Sequence, residues 1–199
     1  MSIPKLDLAK LPNYGFGPRM TNYWGTLAFI LLEGTGFALA IGTYLYLMTV
    51  NPRWPVDAPP PGLVPGSLLT LVMVASAFPN YFVKYWARHE QLKWIRIGLV
   101  LMTLIGLVLL AIRAFEFPAL NISWDTNAYG SIVWFLLGLH TTHLLTDVGD
   151  TVVLTILMFT RHAESGRRCS DVEDNGVYWD FVVLSWLPIY ALIYWMPRW

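Results

Sequence analysis

Residues 131–160 read SIVWFLLGLHTTHLLTDVGDTVVLTILMFT, an apolar run interrupted by four ionisable side chains. These four are His140, His143, Asp147 and Asp150. At about 100° per residue they fall within an arc of roughly 80° on one face of a helix. Ionisable groups are costly in a bilayer, and their presence marks helix packing, proton handling or a ligand site. The run therefore predicts a membrane-spanning helix with one polar face.

Long apolar runs also make up most of the rest of the chain. Of its 199 residues, 56% are hydrophobic and 13% are charged, and soluble domains carry about 25% charged residues. Five runs are long enough to cross a hydrocarbon core of about 30 Å as helices. The predicted spans are residues 24–49, 66–86, 95–115, 129–160 and 178–197. We therefore predict an all-α polytopic membrane bundle of five transmembrane helices, folded as a single transmembrane domain over residues 1–199.

Charge and cysteine content exclude several classes of function. The 13 Lys and Arg residues balance 13 Asp and Glu residues, so bulk charge indicates no nucleic-acid partner. Cys169 is the single cysteine, which excludes an intrachain disulfide and a metal centre built from several cysteines. We find no phosphate-binding loop and no set of nucleophile, base and orienting group.

The basic residues predict the orientation. Ten of the 13 lie before the first span, in or beside the loop between the second and third, or after the fourth. Because cytoplasmic loops carry an excess of Lys and Arg, this pattern places the N-terminus inside and the C-terminus outside.

The first span carries a carboxyl group at Glu33, nine residues beyond Trp24 and so roughly 14 Å into the membrane. Gly34, Ala38 and Gly42 follow on the same helix at four-residue spacing. Small residues at this spacing let another helix approach closely. We therefore expect Glu33 to lie beside a packing surface and not in open lipid.

Near the same depth lie the two histidines of the fourth span. We expect Glu33 to meet His143 or His140 in the bundle core, because a shared hydrogen bond offsets the burial of both groups. Two interpretations of such a contact stay open. It can act only as a structural hydrogen bond, or it can relay protons or tune a partner subunit.

Two further groups of charged residues are candidates for a function. His140, His143 and Asp147 are ligand types for a transition metal, although satisfied polar residues of a core fit the same pattern. Arg113 and Glu116, three residues apart at the end of the third span, face the same way and can pair. We expect that pair at the outer interface, either solvated or in contact with a partner.

The segment 161–175 mixes basic and acidic residues and predicts a solvated cytoplasmic loop. Its basic end, which includes Arg161, offers contacts to anionic lipid headgroups. A protein docking site is the alternative.

Several stretches resemble, in order, subunit III of the haem–copper oxidases. Gly138-Leu-His140-Thr-Thr-His143 is similar to that family's Gly-Phe-His-Gly-Leu-His signature. The other matching stretches are Phe29–Glu33, Ala114–Phe117, Tyr129–Ser131, Tyr178–Val182, Trp186–Leu187 and Ile193–Trp195. Asp180 and Val183 depart from the family pattern, which has His and Asp at those places.

The resemblance implies a short, five-helix form of a non-catalytic subunit in a bacterial plasma membrane. Such a subunit binds no haem or copper itself and packs against catalytic subunit I, which carries them, and against other oxidase subunits and phospholipid. Glu33, Glu116, His140 and His143 match the family motifs directly. Trp179 and Trp186 match as packing or lipid contacts. The expected role is to stabilise subunit I and to support proton uptake and lipid retention during electron transport to oxygen.

Two alternatives remain at this stage. An accessory subunit of nitric oxide reductase has the same fold and partner type. An independent intramembrane metal-dependent enzyme or ion carrier, built on the polar face of the fourth span, belongs to a different class.

Overall fold

The computed structural model describes residues 21–56, 58–160 and 166–198, and these residues contain helices but no strand. The five long helices are α1 (Thr21–Val50), α2 (Leu63–Arg88), α3 (Leu92–Glu116), α4 (Ala128–Met158) and α5 (Gly166–Tyr190). A 3₁₀ turn at Pro118–Leu120 follows α3. A π-helical turn (Ala191–Trp195) and a 3₁₀ turn (Met196–Arg198) continue α5. The prediction of an all-α fold is confirmed.

Four of these helical segments are long and apolar enough to cross a membrane. They are Asn22–Val50, Leu63–Arg88, Leu92–Glu116 and Arg168–Arg198. α4 has 31 residues and is not one of the four; two histidines and two aspartates lie in the middle of its run. The count of five membrane spans therefore stays a prediction.

The start of the fifth helix differs from the prediction. α5 begins at Gly166, so the predicted loop is wrong for residues 166–175. This polar stretch is helical and charge-paired: Arg168 bonds Asp171 one turn later at 3.2 Å, and Glu173 accepts from Arg88 of α2 at 2.8 Å. Arg161 lies outside the described residues.

α5 occupies the middle of the bundle, where it packs against α1, α2 and α4. Its Trp179 and Trp186 are almost completely buried. Their indole N–H groups donate to hydroxyl oxygens on α2, Ser76 at 2.9 Å and Thr70 at 2.7 Å. Both indoles therefore serve packing inside the chain and have little surface to offer to lipid.

Among the long helices, α1 makes its main contacts with α4 and α5. Phe37, Ala40 and Tyr44 form its buried face. A Cβ added at Gly42 would meet nothing within 4 Å, and one at Gly34 would meet only a Phe181 ring carbon at 3.8 Å. Among the residues that the structure describes, no close helix contact uses these glycines, so the close approach of another helix to them stays a prediction.

A close helix contact does occur at Gly106 of α3. A Cβ at this position would lie 2.6 Å from a methyl carbon of Val148 on α4. α3 and α4 can approach this closely because Gly106 has no side chain.

Candidate functional site

Of the two histidines expected to meet Glu33, His143 is the one that contacts it in the structure. His143 Nε2 lies 3.4 Å from Glu33 Oε1. The Tyr178 hydroxyl donates to the other carboxyl oxygen at 2.6 Å. One side chain from each of α1, α4 and α5 thus meets at this point, and the other imidazole nitrogen of His143 lies 2.7 Å from the Leu139 carbonyl oxygen.

The partner of Nδ1 fixes the tautomer of His143. A carbonyl oxygen only accepts, so Nδ1 of His143 carries a proton and donates it to Leu139. The other ring nitrogen, Nε2, faces the Glu33 carboxyl group.

A second polar network surrounds Arg113 at the end of α3. One guanidinium nitrogen donates to Glu116 at 2.7 Å, and another donates to Nδ1 of His140 at 2.9 Å. The guanidinium carbon lies 4.2 Å from the centre of the Trp186 ring. The Tyr194 hydroxyl donates to the second oxygen of Glu116. This network joins α3, α4 and the end of α5.

The Arg113–Glu116 pair is buried, so the expectation that it is solvated or in contact with a partner is wrong. The pairing of Arg113 with Glu116 is confirmed, but the two residues are only 1% and 0% exposed. The pair is neither solvated nor accessible to a partner, because α4 and the turn after α5 cover the end of α3.

Protonation of His140 is restricted by its partners. Arg113 only donates, so His140 Nδ1 must accept. Nε2 then carries the single proton and donates it to the Val182 carbonyl oxygen at 3.0 Å. Unlike His143, His140 has no free lone pair for another proton.

Phe37 of α1 packs against a histidine of each network. Its ring centroid lies 4.7 Å from that of His143 and 6.2 Å from that of His140. The side chain is buried at 3% exposure. One apolar ring therefore contacts both the Glu33–His143 pair and the Arg113 network.

A cavity of about 770 Å³ lies between α1, α4 and α5. Its charged or ionisable lining residues are Glu33, His143, Asp147, Asp150, Arg168, Asp171, Asp174 and Tyr178. Asp147 Oδ1 accepts from Asn175 at 3.0 Å. The other oxygen, Oδ2, is buried without a hydrogen-bond partner.

The polar face predicted for α4 is thus divided in two. His143, Asp147 and Asp150 line the cavity, whereas His140 turns to Arg113. The three side chains considered as metal ligands do not converge. Within the described ranges, no group of three or more His, Cys, Asp or Glu side chains is arranged to hold a metal ion.

Sequence reasoning missed a third polar contact, between α2 and α5. Lys84 pairs with Asp180, and Asn80 donates to the same carboxylate at 2.8 Å. Asp180 is one of the two departures from the family pattern. The sequence did contain a signal for this contact. Lys84 and Asp180 carry opposite charges inside two predicted spans, and intramembrane charges pair with one another.

Comparison with known proteins identifies relatives over nearly the whole chain. The profile of the family described as Cytochrome c oxidase subunit III matches residues 26–198. A cytochrome c oxidase subunit 3 of Thermostichus vulcanus is 22% identical over 87% of this chain and 87% of its own length. Proteins of the same name from Synechocystis sp. and Drosophila yakuba are 25% and 27% identical over 86% of this chain, and over 74% and 68% of their own lengths.

Proposed function

The chain belongs to the cytochrome c oxidase subunit III family, and we propose that it is the non-catalytic third subunit of a bacterial respiratory haem–copper oxidase. It packs beside subunit I, which carries the haem and copper, and beside other subunits and phospholipid. The observation that carries this proposal is the set of partners that the family-motif residues have. Glu33, Glu116, His140 and His143 bond to other residues of this chain, which suits a supporting subunit.

All five long helices cross the bacterial plasma membrane in this proposal, with the N-terminus inside. α4 spans as well, because three of its four ionisable side chains are shielded: His140, His143 and Asp147 are at most 8% exposed, whereas Asp150 is exposed. A polar group in a membrane is tolerated when it faces the bundle interior and finds a partner there. The mitochondrial inner membrane is the alternative location.

Support of proton uptake is the role that we assign to the cavity. It lies at the end of the bundle where α1 begins and α4 ends, which is the basic and therefore inner end of the proposed topology. Glu33 and His143 lie at the deep end of the cavity. Retention of lipid beside subunit I is the second supporting role.

Purification of the tagged chain in mild detergent tests the proposal. We expect the chain to bring with it a complex whose visible spectrum and metal content report haem and copper. After harsher detergent separates the subunits, we expect no metal on this chain. Stoichiometric zinc or manganese on the isolated chain would instead indicate the independent metal-dependent enzyme. Haem without copper in the complex would indicate the nitric oxide reductase alternative.

A further inference from the structure

We propose that the cavity between α1, α4 and α5 receives a basic side chain, a lysine or an arginine, from a membrane-embedded helix of a partner subunit. The charged end of that side chain bonds Asp147 and Asp150, the two aspartates of α4. This inference rests on the proposed function, because it requires the chain to span a membrane beside other subunits. It deepens that function by assigning a docking site and the chemistry of the helix that fits it.

The charges of the cavity wall are complementary to a cation. The lining carboxyl groups belong to Glu33, Asp147, Asp150, Asp171 and Asp174. Among the described lining residues Arg168 is the one Lys or Arg, and it already pairs with Asp171 at 3.2 Å. A cleft lined by an excess of one sign of charge attracts groups of the opposite sign. The wall therefore favours a positively charged occupant.

Asp147 has bonding capacity that this chain leaves unused. The residue is 1% exposed and lines the cavity. Its Oδ1 accepts from Asn175 at 3.0 Å, but its Oδ2 is buried without a hydrogen-bond partner among the described residues. A buried acceptor without a hydrogen bond is costly. A donor that enters the cavity from outside the chain removes that cost.

Asp150, one turn further along α4, has the opposite environment but the same need. Its side chain is exposed, and it forms no ion pair within the described ranges. It lies seven positions from His143, the midpoint of α4, which is about 10 Å along the helix, and half of the hydrocarbon core is about 15 Å. Charged groups at such depth pair with one another. In the proposed topology Asp150 therefore requires a counter-charge from another molecule.

The residues around the two aspartates favour a helix over a lipid headgroup as the source of this charge. A Cβ added at Gly25 on the α1 wall would meet nothing within 4 Å. Three further lining residues are small and polar: Thr26, Thr142 and Thr146. Small residues let the backbone of a neighbouring helix approach closely. Val153 and Leu157 also line the cavity and suit the apolar stem of a lysine or arginine.

One side chain fills only part of a cavity of about 770 Å³. The basic group lies beside the two aspartates, and the part of the cavity beside Glu33 and His143 stays open. The docking site is therefore compatible with the role in proton uptake that we assign to the same cavity.

Photo-crosslinking of the whole complex in its membrane tests which molecule meets the cavity. The photo-reactive residue benzoylphenylalanine replaces Val153, which is 52% exposed and lines the cavity. The matched control is the same replacement of Leu104 on α3, which is 56% exposed. We expect position 153, and not position 104, to crosslink to a partner polypeptide within one helical turn of a lysine or arginine. Crosslinks to lipid alone, to a segment without a basic residue, or to the same segment from both positions would overturn the proposal.

Dissociation of the complex in detergent tests the charge. Asp150→Asn alters an exposed side chain, so the chain itself should still fold. We expect this variant to leave the complex about tenfold or more faster than the parent, because loss of one partner of an interfacial charge pair acts on dissociation. The matched control is Asp125→Asn, an exposed carboxylate in the loop before α4, which should leave the rate unchanged. An Asp150→Asn chain that dissociates no faster than this control would overturn the proposal.

Charge reversal provides the final test. Asp150→Lys should weaken the association further than Asp150→Asn, and replacing the crosslinked partner's basic residue by Glu should restore it. Absence of any restoration would refute direct pairing. The visible spectrum and metal content of the same preparation report on the proposed function. A complex without haem and copper would refute that function, whereas the crosslink and the dissociation rate report on the docking site, so the two failures are distinguishable.

Discussion

Neutralising Glu116 should destabilise the protein strongly, because the change leaves a buried charge unpaired. In Glu116→Gln the side chain keeps its volume but loses its charge. Arg113 then stays buried at 1% exposure with only His140 and the Trp186 ring as polar or aromatic partners. The neutral amide cannot replace the charge-assisted bond that Glu116 now accepts at 2.7 Å.

The expected magnitude follows from burial. Removing one partner of a buried ion pair costs about 3–5 kcal/mol. A chain of this size shifts its unfolding midpoint by about 2–4 °C per kcal/mol, so we expect a drop of roughly 6–20 °C. The chain offers a matched control in Glu173→Gln. That carboxylate pairs with Arg88, whose side chain is 53% exposed, and exposed pairs contribute only about 0.2–1 kcal/mol.

Thermal unfolding of the purified protein in detergent measures both variants, together with Arg113→Met and the double variant Arg113→Met/Glu116→Gln. We expect Glu116→Gln and Arg113→Met each to lower the free energy of unfolding several times more than Glu173→Gln does. The double variant should lose clearly less than the sum of the singles, because it buries no unpaired charge. If Glu116→Gln shifted the midpoint no more than Glu173→Gln, or if the two single effects added, the argument from burial would be refuted.

Three more predictions concern α1, α3 and α4. Glu33→Gln and His143→Ala should be non-additive in thermal stability by about 0.5–3 kcal/mol, as for residues in direct contact; strict additivity would contradict the 3.4 Å contact. In the assembled oxidase, Glu33→Gln should leave initial turnover nearly intact and alter proton coupling or hasten inactivation, as steady-state and proteoliposome assays can measure; complete loss of turnover would contradict a supporting role. Gly106→Ala should cost about 1–3 kcal/mol by overpacking against Val148, whereas Gly42→Ala, with open space around it, should be neutral or stabilise by about 0.5–1 kcal/mol; equal thermal shifts would refute the packing of α3 on α4.

Sequence reasoning was most successful where one helix alone carries the information. Apolar length predicted the positions of five helices, and the arc of about 80° predicted the polar face of α4. A contact of Glu33 with a histidine of α4 followed from depth, since these residues lie near the middle of their spans, but depth did not decide between His143 and His140. The start of α5 was wrong because hydropathy does not report helices that continue past the apolar run. In residues 166–175 the helix carries charge pairs in place of a long apolar run.

The all-α fold, the oxidase-subunit family and the residues available for a polar core follow from the order of residues, because helical period and apolar length are local properties. Which helix covers each side chain is decided only in three dimensions. His140 and His143 are three positions apart on one face, yet His140 bonds Arg113 of α3 and His143 contacts Glu33 of α1. That division depends on how α1, α3 and α5 pack around α4. Contacts between residues as far as 149 positions apart set this packing, and no local pattern specifies them.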